Sequence, residues 1–222
     1  MCRFLMVRSA APLAPAGLLE DFAVMAEASR APDGDRQADG WGAAWPDGGG
    51  GWHSYKSTAP VWEDRSAFGA IPPASLFIVH ARSASFPSQK GILAYNQPFV
   101  SGPFAFVFNG MLLGVSLPLR APGDIGAQKI WALLSLRLTA SAVPGEALAA
   151  TAEFLERHTR SLQGLNLGLS DGVRAYALCR YESGGAYYQM YRHDSPGFGL
   201  ISSEPLRSFD FVPVPKDEVI VA

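Results

Sequence analysis

Cysteine is scarce in this 222-residue chain: there are two, Cys2 and Cys179. They supply neither a disulfide framework nor a Cys-x-x-Cys metal signature. Charge of one sign is lacking as well. Eighteen Lys and Arg stand against twenty Asp and Glu, for a formal net charge of −2, with no basic cluster that would hold nucleic acid. No apolar run reaches the roughly 18 residues of a membrane span. His53, His158 and His193 are scattered and form no ligand set, and there is no repeat, low-complexity tail or linker. The chain is 48% apolar, ample for one well-packed domain and short for two, so a single domain over residues 1–222 is expected.

Taken in order, residues 2–8 read as a short buried strand and the Pro/Ala-rich residues 10–16 as a link. Leu18, Leu19, Phe22, Met25 and Ala26 recur at helical spacing and predict a helix over 18–29. Residues 30–39 are a polar loop. Residues 40–45 and 51–55 flank a turn rich in Pro, Asp and Gly and form a hairpin; 56–73 are irregular. Residues 75–83 and 104–110 are apolar runs that end in polar groups, His80-Ala81-Arg82-Ser83 and Asn109-Gly110. Helices are expected from Asp124 to about Leu138 and over about 145–160, the second with a Glu153–Arg157 pair on its surface. Strands are expected at 164–170, 173–181, 186–192, 199–202 and 212–221. Strands, then helices, then strands again indicate an α+β protein with helices packed on antiparallel sheets.

Chemistry concentrates at the start. Cys at position 2 is small enough for methionine aminopeptidases to remove Met1. Cys2 would then carry a thiol and a free α-amine, which titrate near ~8.5 and ~7.7–8.0 in isolation. A nucleophile with its own N-terminal amine as base needs no His or Asp partner. A retained Met1 would put the amine on the wrong residue. A working thiolate suits a reducing compartment, which points to the cytoplasm. Cys179, in an apolar stretch, reads as core.

Met1-Cys2-Arg3, Asp39-Gly40-Trp41-Gly42, His80-Ala81-Arg82, Gln97-Pro98-Phe99, Phe108-Asn109-Gly110 and Ser203-Glu204-Pro205-Leu206 together resemble the glutaminase domain of class II glutamine amidotransferases, in the N-terminal-nucleophile hydrolase superfamily. The likeness extends in particular to compact stand-alone members, including the γ-glutamyl hydrolases of ergothioneine biosynthesis. The resemblance implies a four-layer αββα sandwich of two antiparallel sheets flanked by helices. It implies hydrolysis of glutamine to glutamate and ammonia through a Cys2 thioester, with no metal or other cofactor. Two other activities fit the same resemblance: hydrolysis of a larger γ-glutamyl conjugate such as an ergothioneine precursor, and a non-catalytic, ligand-binding or regulatory subunit. The implied partners are a small γ-glutamyl substrate and, for ammonia transfer, a separate synthase subunit. A homo-oligomer is compatible with such a domain, whereas nucleic acid and membrane have no supporting feature.

By the same resemblance Asn109 and Gly110 form the oxyanion hole, Arg82 clamps the substrate carboxylate, and His80 and Trp41 shape the pocket. Each has a plainer reading: a turn dipeptide for Asn109-Gly110, an ion-pair partner for Arg82, a hydrogen-bonded structural histidine for His80. The family's Asp for the substrate amine falls on Gly126 when the chain is aligned on Trp131-Ala132-Leu133. Asp124, two residues earlier, is the substitute candidate, and its plainer reading is a helix N-cap.

Overall fold

Alternation along the first strand sets the layers. In the computed structural model, which describes residues 1–31, 34–140 and 143–222, strand β1 runs over Arg3–Leu13. Successive side chains point to opposite faces of a strand. Leu5 and Val7 face a core that includes Leu19, Phe22, Trp41 and Phe77, while Phe4 and Met6 face Val107, Ala177 and Ile201. A strand apolar on both faces must be covered on both.

Helix α1 (Ala16–Ala28) follows, then strands β2 (Trp41–Pro46), β3 (Trp52–Ser57), β4 (Ala74–Ala81), β5 (Phe99–Ser101) and β6 (Phe104–Val115). Helices α2 (Gly126–Thr139) and α3 (Pro144–Arg157) come next. The last third holds β7 (Thr159–Ser170), β8 (Ala175–Leu178), the short α4 (Gly185–Tyr188), β9 (Tyr191–Ser195), β10 (Phe198–Ser202), β11 (Val212–Pro213) and β12 (Val219–Val221). Seven strands form one antiparallel sheet in the order β11-β9-β10-β1-β4-β2-β3, and five form a second in the order β12-β8-β7-β6-β5. Phe4, Met6, Ile78, Ala105, Val107 and Ala177 are packed between the sheets. Helix α1 covers the outer face of the first sheet. Helices α2 and α3 cover the second, with Ile130, Leu133, Leu134, Leu148 and Leu155 set on Phe106, Leu165 and Leu167. This is the αββα sandwich, and the inward faces expected for α1 and α2 are buried as predicted.

Several local expectations are corrected. Residues 10–13 continue β1 beyond an irregularity, because Leu13 pairs with Ala74 and the Ala10 amide donates to Gly197 O. Strand β6 runs five residues past Gly110 and pairs with a β7 that starts at Thr159, where helix was expected. Residues 186–188 are helical; only from Tyr191 does the chain become a strand. The expected closing strand over 212–221 splits between the two sheets, since Pro213 and Pro215 cannot donate to a ladder. Arg157 takes part in no ion pair among the described residues; the α3 acid that does is Glu156, 2.8 Å from Arg180. Pro32 and Asp33 of the expected 30–39 loop lie outside the described residues. No helix among the described residues is long and apolar enough to cross a membrane.

Candidate active site

Cys2 stands immediately before β1, and three sets of contacts fix it. Ser203 Oγ accepts from the Phe4 amide at 2.9 Å, securing the first turn of the strand to the loop after β10. Arg3, 3% exposed, donates to Ser29 Oγ and to the carbonyls of Tyr187 and Ser203, lies 2.6 Å from Glu204, and stacks on the Tyr187 ring. Tyr187 Oη donates to Cys2 O at 3.3 Å, and burial pushes its pKa up, so it remains a donor at neutral pH. The Ser203-Glu204 motif therefore holds the strand that follows Cys2 in place.

Asn109 approaches Cys2 from β6 in the other sheet. Its Oδ1 accepts from the Cys2 amide at 3.2 Å. Its Nδ2 is buried and finds no partner among the described residues. A buried amide NH₂ without an acceptor is costly unless something else uses it. Gln97 sets the position of this residue: its Oε1 accepts from the Phe108 amide at 2.6 Å and its Nε2 donates to Phe108 O. Gly110 follows where a Cβ would lie 2.2 Å from the Gly164 carbonyl oxygen, so only glycine fits against β7 there.

A cavity of 560 Å³ opens from Cys2. Arg82, delivered by the end of β4, is on its wall. Arg82 is 3% exposed and donates to Gln89 O at 3.0 Å and Asp39 O at 3.5 Å. No carboxylate among the described residues lies within ion-pair distance of it; the neighbouring Asp39 is 3.1 Å from Lys90 instead. Burial pulls the Arg82 pKa down, and the nearby Cys2, Asp39 and Tyr95 offset this in part.

The remaining candidates divide. Gly110 lines the cavity beside Cys2 and Arg82. His80 and Trp41 do not, which corrects the expectation that they shape the pocket. His80 is fully buried behind Phe108, with Nε2 3.3 Å from Phe108 O. Burial pushes its pKa down to about 3, so it is a neutral structural group. Trp41 Nε1 donates to Asp64, and its ring packs on Tyr55 and Phe68 in the α1 core. Asp124 is exposed, off the cavity wall and not the N-cap; Gln128 Oε1 accepts from the Asp124 and Ile125 amides instead. Cys179 is a core thiol pushed up to about 11 by burial.

Three residues not singled out from the sequence surround the first residue. Ser83 Oγ accepts from the Met1 ammonium at 2.6 Å and donates to Asp35, and Gln37 donates to Met1 O at 3.1 Å. Burial pushes the Asp35 pKa up, but the Ser83 hydroxyl, the Arg36 amide and the Met1 ammonium together hold it below the ordinary value. These residues sit in the Pro/Asp/Gly-interrupted loop and at a strand exit, where no periodicity marks them. No group of three or more His, Cys, Asp or Glu among the described residues could hold a metal ion.

No family model and no curated protein matches the sequence. Solved structures do match the fold. A glutamine aminotransferase class-II domain protein from Silicibacter pomeroyi aligns at TM-score 0.64 and 17% identity, covering 99% of this chain and 94% of its own. A predicted glutamine amidotransferase from Pseudomonas aeruginosa aligns at 0.58 and 14%, covering 99% and 96%. The glutamine PRPP amidotransferase of B. subtilis aligns at 0.69 and 10%; the match covers 99% of this chain but 47% of that longer one. The chain thus has the N-terminal-nucleophile hydrolase fold of class II glutamine amidotransferase domains.

Proposed function

We propose that this chain is a cysteine amidohydrolase that cleaves a carboxamide, in the family manner a γ-glutamyl amide, through a Cys2 thioester. The observation that carries the reading is the Asn109 amide: buried, without an acceptor among the described residues, and bonded through its other end to the backbone of Cys2.

The steps use this chain's own groups. Removal of Met1 turns the Cys2 amide into an α-amine. That amine takes the thiol proton as Sγ bonds to the carboxamide carbon, and the carbonyl oxygen becomes an oxyanion. Asn109 Nδ2 and the Gly110 backbone donate to it; losing one such donor typically costs ~2.7–4 kcal/mol of barrier. The intermediate collapses, the C–N bond breaks, and the amine leaves with the proton held by the α-amine. Water then attacks the thioester, giving its proton to the α-amine, and the C–S bond breaks to release the acid and the thiol. Arg82 positions the substrate through a carboxylate. With glutamine the products are glutamate and ammonia; in a transfer reaction a separate synthase subunit would receive the ammonia. A reducing compartment, the cytoplasm, suits the thiol.

Intact mass before and after treatment with 6-diazo-5-oxo-norleucine, or its N-acyl derivative, tests this. The expected result is loss of one Met and a single adduct that disappears in Cys2→Ala. Retained Met1 with no adduct from either reagent would replace this reading with a non-catalytic, ligand-binding one.

A further inference from the structure

The cavity beside Cys2 is larger and more apolar than a glutamine site requires. Away from Cys2, Arg82 and the polar Ser83, Gln89 and Gln97, its wall includes the apolar Met111, Leu113, Ile125, Ile130 and Leu133. Its 560 Å³ falls in the range of about 300–1,000 Å³ of sites for drug-sized ligands. Glutamine has roughly ten heavy atoms; even at a water's share of about 30 Å³ each it fills at most about half.

Charge selects further. Among the lining residues the charged ones are Arg82 and Lys129, both cationic, and none is Asp or Glu. Helix α2 begins at Gly126 on the same wall, so the partial positive charge of its first turn also faces this space. A free ammonium placed against Arg82 and the α2 wall, away from the Ser83 that holds the Met1 ammonium, would be desolvated among apolar side chains and repelled by Arg82 and Lys129. A carboxylate would meet Arg82, whose guanidinium has no acid within ion-pair distance among the described residues.

We infer that the substrate is an amphiphilic carboxamide: a carboxylate for Arg82, the scissile amide at Cys2, and an uncharged apolar body without a free ammonium, seated against Met111, Leu113, Ile125, Ile130 and Leu133. This rests on the amidohydrolase reading above. The apolar body belongs either to the acyl part or to the leaving amine, and both place the same chemistry in the cavity.

The test uses the full chain lacking Met1. Hydrolysis is followed by mass spectrometry for L-glutamine, N-acetyl-L-glutamine, N-octanoyl-L-glutamine and glutaric acid mono-octylamide; binding of the same compounds to Cys2→Ala is followed by calorimetry. Each methylene buried is worth about fourfold, so one of the two octyl compounds should exceed glutamine in kcat/KM by at least about 100-fold. The N-octanoyl compound leading assigns the cavity to the acyl part, the mono-octylamide leading assigns it to the leaving amine, and either supports the inference. Glutamine cleaved as well as or better than both overturns it while leaving the amidohydrolase standing; Asp35 and Ser83, which hold the Met1 ammonium, would then be the amine site, and Asp35→Asn would raise KM for glutamine. Octyl compounds that bind without any turnover would keep the cavity as a site for amphiphilic carboxamides but overturn both the catalytic reading and their place as substrates. No binding of either octyl compound sinks the inference. Gly126→Asp adds a second arm. An added Cβ there meets nothing within 4 Å, and an acid at a helix start is tolerated. The variant should shift preference toward free glutamine by at least about tenfold; an unchanged ratio would remove the α2 wall from the site and overturn the assignment.

Discussion

Two regions of this molecule use the same residue types in opposite ways. Where β1 is anchored, buried Arg3 is closed by Glu204, Ser29, two carbonyls and the Tyr187 ring. On the cavity wall, equally buried Arg82 donates to two carbonyls and lies over the Tyr95 ring, with no carboxylate within ion-pair distance among the described residues. The contrast repeats across one ladder rung, where Asn109 faces Asn166. Asn166 is closed at both ends, Nδ2 donating to Tyr188 O at 2.7 Å and Oδ1 accepting from the Arg180 amide at 3.2 Å. Asn109 keeps its NH₂ without a partner among the described residues. Burial and residue type do not separate the two regions; the completeness of pairing does. A closed polar group contributes stability, and an open one is held ready for a ligand at some cost to stability.

The largest expected effects fall on activity in the open region. Asn109→Ala should lower kcat about 10²–10³-fold, and Arg82→Met should lower kcat/KM by a similar factor. Arg82→Met should also keep its denaturation midpoint within about 1 kcal/mol of the parent, because no carboxylate loses a partner. In the closed region the sign of the comparison reverses. Arg3→Met should destabilise by about 2–4 kcal/mol in urea titrations, less than a fully buried pair because Glu204 is 35% exposed. Asn166→Ala should cost about 2–3 kcal/mol by removing the acceptor of the Arg180 amide and the 2.7 Å donor to the Tyr188 carbonyl. Equal stability losses in Arg3→Met and Arg82→Met would break the comparison.

A carboxylate ligand sharpens it. At 100 times its Kd, N-octanoyl-L-glutamine should stabilise Cys2→Ala by about 2.7 kcal/mol, and the added substitution Arg82→Met should remove that gain. The smallest effect is a slope. His80 represents a third solution for a buried base: it gives up its proton. Burial brings its pKa in the fold down to about 3, from an ordinary 6.5. Between those values the unfolded chain binds more protons, so His80 adds stability above about pH 6.5 that is lost as pH falls toward 3. His80→Gln should flatten that acid limb in denaturation measured across pH.

Much of the layer order was legible because alternation is local. Phe4-Leu5-Met6-Val7 can satisfy two faces only inside a sandwich, and Ile130, Leu133, Leu134 and Leu138 define a stripe without reference to any partner. Asn109, Gly110 and Arg82 stood out at the ends of apolar runs, where strands deliver polar groups, and Cys2 by its place after Met1; their roles came from the family resemblance. His80 and Trp41 were misplaced because they share motifs with Arg82 and Gly40: His80 still lies inside β4 and is buried against Phe108, whereas Arg82 lies past the strand end, and Trp41 packs into the α1 core. Asp124 was misplaced because the Gln128 side chain caps α2 from inside the helix.

Periodicity and the turn residues by themselves determined an α+β protein with helices packed on antiparallel sheets and Cys2 just ahead of its first strand; the four-layer sandwich came from the family resemblance. Only the tertiary structure decided which buried polar groups are closed and which are open. Pairing joins residues far apart in the chain: Arg3 to Glu204, Cys2 to Asn109, Met1 to Ser83 and, through Ser83, to Asp35. Such distances carry no sequence period. The character of the cavity was decided in the same way, because Met111 and Leu113 belong to a strand extension that exists only by pairing with Gly164 and Ser161 of β7.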